Sequence, residues 1–83
     1  MKILYFAWLR ERLNRGEEEV TPPSSVTTIA ELLDWLASQD EALALALANP
    51  AQFKVSLDAR IQPHDAPVAG AATIAILPPM TGG

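Results

Sequence analysis

Few side chains in this sequence are equipped for chemistry. There is no cysteine and a single histidine, His64, which falls in a proline-rich stretch. The missing thiols exclude disulfides, thiol catalysis and thiolate metal sites. One histidine does not make a metal cluster. No hydroxyl is spaced from a base as nucleophiles require. Only four glycines occur and two of them are Gly82 and Gly83, which leaves no phosphate-cradling loop. The remaining candidate is a backbone group, the carboxylate of Gly83.

Its approach is unusual. From Ala66 to Gly83 no side chain carries a charge. Pro78-Pro79 favours extended polyproline geometry and cannot continue a strand ladder. From Pro79 to Gly83 the chain reaches roughly 15 Å, at about 3.3 Å per residue. Met80 offers a flexible apolar contact. Gly82 and Gly83 lack a Cβ and pass through channels too narrow for other residues. Such a stalk suits delivery of a carboxylate into another protein's active site. A frayed terminus is the plain alternative.

The elements behind the stalk follow from pattern. The 83 residues are 49% hydrophobic, enough for one core and no second domain. Met1 to Leu9 reads as a strand apolar on both faces, inside a sheet. Arg10 to Arg15 suits one helical turn, stopped at Asn14-Arg15-Gly16. Glu17 to Thr21 reads as an edge strand guarded by glutamates. Thr28 and Glu31 have capping-box spacing. Ile29, Leu32, Leu33 and Leu36 form the apolar stripe of the helix that follows, with Trp35 at its border. Asp40 caps a second helix through Ala48, its leucines expected inward. Gln52 to Asp58 alternates as a strand, with Phe53, Val55 and Leu57 on one face. A short strand is expected near Arg60 to Gln62 and an apolar one over Thr73 to Leu77.

This order, ββααβββ, is best satisfied with the first and last strands parallel at the centre of a mixed sheet and the helices on one face. That is an α+β, ubiquitin-like β-grasp fold. It divides the chain into a domain over 1–79 and an extended tail over 80–83.

The ending LPPMTGG, residues 77–83, resembles the FPPVTGG terminus of the molybdopterin synthase small subunit. YFAWLRE, residues 5–11, is similar to that family's FFAxxRE opening. Leu57-Asp58 stands where the family commonly has Val-Asn, and Asp65-Ala66-Pro67-Val68 resembles its D-x-P-L segment. The family's acidic turn before the last strand is replaced by Ala69-Gly70-Ala71-Ala72-Thr73.

The resemblance implies a ubiquitin-like sulfur carrier. Gly83 would be adenylated by a partner like the ubiquitin-activating enzymes, then charged with sulfur as a thiocarboxylate with the help of a sulfurtransferase. ATP is used by that partner, and the chain itself is expected to bind no cofactor and no metal. Pro79, Met80, Thr81 and Gly82 would insert into the large synthase subunit, where sulfur passes to cyclic pyranopterin monophosphate in a heterotetramer. Phe6, Trp8, Leu57 and Leu77 are candidates for an apolar docking surface with Arg10 on its rim. For Phe6 and Leu57, core packing is an equal alternative.

The net charge of −4 argues against nucleic acid as a partner. No stretch suits a membrane span or a signal peptide, so a cytoplasmic location is expected. Three other readings share the sequence: a sulfur carrier for the thiamine thiazole, a protein modifier forming isopeptide bonds, and a β-grasp interaction module with an inert tail. The thiazole carriers are typically shorter, and the helix over Asp40 to Ala48 would be an addition to them.

Overall fold

The computed structural model describes residues 1–80. Five strands, β1 (Lys2–Tyr5), β2 (Glu17–Glu19), β3 (Lys54–Leu57), β4 (Arg60–Gln62) and β5 (Thr73–Leu77), form one mixed sheet in the order β2-β1-β5-β3-β4. β1 and β5 run parallel, with Ile3 opposite Ile74 and Tyr5 opposite Ile76. The other neighbours are antiparallel. The most apolar strands therefore lie side by side inside the sheet, as their composition predicts.

Each strand divides its residues between two faces. Ile3, Tyr5, Val55, Ile74 and Ile76 are buried beneath the helices. Leu57 is opposite Ile74 and packs at the margin of the same core. Helices α1 (Ala7–Leu13), α2 (Ile29–Gln39) and α3 (Glu41–Ala46) complete that core. Their inward residues include Leu9, Leu13, Ile29, Leu32, Leu33, Leu36 and Leu43.

Helix α2 begins as its capping box dictates. The Thr28 hydroxyl accepts the Glu31 amide at 3.2 Å, and Glu31 Oε1 accepts the Thr28 amide at 3.0 Å. Asp40 ends α2 in extended backbone and caps α3 by accepting the Leu43 amide at 2.7 Å. A hydrogen-bonded cap of this kind contributes about 1 kcal/mol.

Three sequence expectations are corrected. The first strand stops at Tyr5 instead of Leu9. Phe6 stays extended, but Ala7 takes φ 51°, a left-handed turn that swings the chain into α1. Leu9 and Leu13, four apart, are then buried on one helical stripe. The stop at Asn14 stands, with φ 56° and ψ 35°. In α3, Leu43 is buried but Leu45 is 77% exposed. Two residues along a helix is about 200° around its axis, so both cannot face inward. The third strand begins at Lys54, because Pro50–Gln52 form a single turn of 3-10 helix that delivers Phe53 to the core.

Candidate functional site

Among the described residues, none covers the face of the sheet away from the helices. Leu4, Ala75 and Leu77 rise from the central strands. Ile61 on β4 stands opposite Ser56 on β3. With Phe6 at the end of β1 and Thr73 at the start of β5, they line a shallow apolar trough. Phe6 is 42% exposed and Ile61 58%. Lys2 and Glu17 pair at 3.4 Å toward the β2 side, so charge borders the trough there.

The β3–β4 turn closes the opposite end. Asp58 and Ala59 both have positive φ, 47° and 73°, as a two-residue type I′ turn requires. The Asp58 carboxylate accepts the amides of Ala72 and Thr73, fixing the start of β5. This gives the Leu57-Asp58 pair of the sequence motif a structural task.

The tail leaves from the other end of β5. The last ladder pair joins Lys54 to Leu77, and Pro78-Pro79 carry the chain past it. The indole N–H of Trp8 donates to the Pro79 carbonyl at 2.7 Å. The Trp8 ring tilts against Phe53, with centroids 5.8 Å apart, and the Arg12 guanidinium lies 4.8 Å from the ring centre. Met80 is fully exposed.

The expected site residues thus fall into groups. Phe6 and Leu77 share the trough. Trp8 and Pro79 meet each other, and Met80 projects beyond them. Leu57 belongs to the helix-side face. Arg10 is on the exposed side of α1, with its side chain over Gly16, where a Cβ would lie 3.0 Å from Arg10 Nε. Thr81, Gly82 and Gly83 lie outside the described residues. Leu4, Ile61 and Ala75 were missed as trough residues. The period-2 alternation around Leu4 and Ala75 was the available signal, because the neighbours of each are core residues.

A second cluster ties the edge of the sheet to the helices. The buried Tyr5 hydroxyl donates to Glu18, and Arg15 bridges Glu18 at 3.1 Å and Asp40 at 2.9 Å. Burial, reinforced by the Glu18 carboxylate, pushes the Tyr5 phenol above its ordinary pKa. The Leu43 amide, and beyond it Arg15, hold Asp40 below the usual carboxylate range. Every charged partner here is accounted for by packing, and the cluster reads as structural. Among the described residues no group of His, Cys, Asp or Glu is placed to hold a metal ion, and no helix is long and apolar enough to cross a membrane.

The sequence model of the ThiS family matches residues 3–83, nearly the whole chain. The chain belongs to the ThiS family. It has the ubiquitin-like fold of these small sulfur carriers. The crystal structure of SAMP1 from Haloferax volcanii is similar, with a TM-score of 0.74 at 21% identity over 100% of this chain and 98% of that one. A putative molybdopterin converting factor, subunit 1, from Pyrococcus furiosus is similar at a TM-score of 0.72 and 19% identity, covering 95% of each chain. At these identities the likeness concerns the β-grasp fold. No curated protein matches the sequence.

Proposed function

We propose that this ThiS-family chain carries sulfur as a thiocarboxylate on Gly83 and donates it to cyclic pyranopterin monophosphate, as the small subunit of molybdopterin synthase. The observation that carries the reading is the union of the uncharged LPPMTGG ending with the anchored exit at Pro79, beside an open apolar sheet face.

The chemistry is acyl activation. A carboxylate is a poor acyl donor. Attack of a Gly83 oxygen on the α-phosphorus of ATP, in an activating partner, expels pyrophosphate and leaves an acyl adenylate. Hydrosulfide, delivered with the help of a sulfurtransferase, then adds to the carbonyl and AMP leaves, with no change of oxidation state at sulfur. The thiocarboxylate that results holds much of its charge on sulfur and attacks the pterin precursor in the large subunit. The chain has no cysteine with which to hold a persulfide or to capture its own adenylate. Cations and general bases come from the partners.

The domain would dock through the trough, with Phe6 and Leu77 joined by Leu4, Ile61 and Ala75. Residues 80–83 would thread the partner's channel, with Pro79 held at its mouth.

A thiazole carrier for thiamine is the second reading, since the family match favours it equally. Helix α3 favours the molybdopterin branch, because that element is an addition to the shorter thiazole carriers. Intact mass after incubation with ATP, activating enzyme and a sulfur source tests the carrier chemistry. One oxygen exchanged for sulfur is expected, and an unchanged mass would refute it. Reconstitution with the large synthase subunit, or with the thiazole synthase, separates the two branches.

A further inference from the structure

The tail of a carrier must enter a partner at a defined angle, and no charged side chain from residue 66 onward is available to hold it. Pro78 and Pro79 have no amide N–H, so carbonyl oxygens are their sole backbone hydrogen-bonding groups. Beyond the Lys54–Leu77 pair the ladder offers nothing more to Pro79. The indole of Trp8 fills that gap. It is a donor only, and it reaches the Pro79 oxygen at 2.7 Å, across 71 positions of sequence.

The ring is itself held. Phe53 packs on it, and the Phe53 carbonyl meets His64 Nε2 at 2.8 Å. Arg12 stands over the ring one helical turn along α1. Leu9 and Leu13 fasten α1 into the core on either side of Arg12. The donor therefore rides on packed structure instead of on a loop.

We propose that Trp8 is a positioning residue for the tail: its indole N–H fixes the Pro79 carbonyl and so sets the point and direction from which residues 80–83 leave the domain. The proposal rests on the carrier reading for its use, although the anchor is a property of the free chain. Without the hydrogen bond the pivot retreats to Leu77, where the ladder ends. Two further residues then have to be ordered when the tail enters a partner. Pre-organisation of this kind lowers the cost of binding and leaves the chemistry at Gly83 untouched. Loss of the anchor accordingly raises KM for charging and spares kcat.

Two substitutions isolate the donor. Trp8→Phe keeps a ring and removes the N–H. Site-specific replacement of Trp8 by 3-benzothienylalanine keeps the shape of the indole with sulfur in place of N–H, and guards against a packing loss. In NMR of the full chain, the Trp8 indole proton should exchange at least tenfold more slowly than that of Trp35. The Met80 amide order parameter should fall in both variants while those of β5 hold. In the charging reaction with ATP and the activating enzyme, KM should rise about tenfold with kcat within twofold. 7-Azatryptophan, which retains the N–H, should restore the wild-type values. Equal exchange of the two indoles, or an unchanged Met80 in both variants, overturns the anchor. Normal KM in both variants overturns its role in presentation. Failure of the wild-type chain to charge counts against the carrier reading, and the NMR comparison still decides the anchor.

Discussion

The Asp58 carboxylate lies 2.9 Å from the Thr73 amide nitrogen and 3.1 Å from that of Ala72. One side chain thus joins the β3–β4 turn to the first residue of the middle strand. Its own backbone, at φ 47°, is in a region that Asn and Asp enter more readily than other non-glycine residues. Asp58→Ala should cost about 1–2 kcal/mol, by loss of both effects. At roughly 4–8 °C per kcal/mol for a domain of this size, calorimetry will resolve the shift. Asp58→Asn, which keeps one acceptor and the backbone preference, should lose less.

Burial decides what leucines contribute. Leu36 is 1% exposed and Leu45 77%. Leu36→Ala should destabilise by about 2–5 kcal/mol through lost burial and a residual cavity. Leu45→Ala should stay within about 0.5 kcal/mol of wild type in urea denaturation.

Acid should loosen the helix starts. The folded pKa of Asp40 is depressed, so its contribution is complete above the unfolded value of about 4 and is lost as pH falls through the lower folded value. Glu31, held down chiefly by the Thr27 hydroxyl and backbone, adds in the same direction. Urea midpoints measured from pH 7 to pH 2.5 should therefore fall below pH 4. Asp40→Asn should make that fall shallower, and should be the less stable protein at pH 7.

The trough can be tested without touching the tail. Phe6 is 42% exposed, so Phe6→Asp gives up only part of an aromatic burial and should leave the chain folded, with a melting temperature lowered by several degrees. Binding to the large synthase subunit should weaken by about 1–2 kcal/mol, an order of magnitude in Kd by titration calorimetry. Wild-type affinity in this variant would move the docking surface elsewhere.

Deletion of Gly82 and Gly83 should abolish sulfur transfer and leave the urea midpoint where it was. Normal synthase activity from the shortened chain would dispose of the carrier mechanism.

Much of the fold is legible from local pattern. The capping box at Thr28 and the stripe of α2 are both as the sequence predicts, and the Thr73–Leu77 strand has the predicted bounds. Where reading failed, two signals competed. Tyr5, Phe6 and Trp8 argued for a longer first strand, while the spacing of Leu9 and Leu13 argued for a helix. The left-handed Ala7 that settles the matter is invisible in composition. The trough was half legible, since Phe6 and Leu77 were expected but Leu4 and Ala75 hid among core neighbours. The contact between Trp8 and Pro79 could not be read at all. It joins residues with no shared periodicity, and only the parallel pairing of β1 with β5 brings them together.

That pairing has a kinetic consequence. Lys2 finds its partner in Thr73, so nearly the whole chain is looped between them. Closures of this length are slow, and the strand that arrives last in sequence must slot between two others. An immature molecule therefore has no seat for Pro79, and an enzyme that read the presented end, as the carrier proposal requires, would also be reading whether folding had finished.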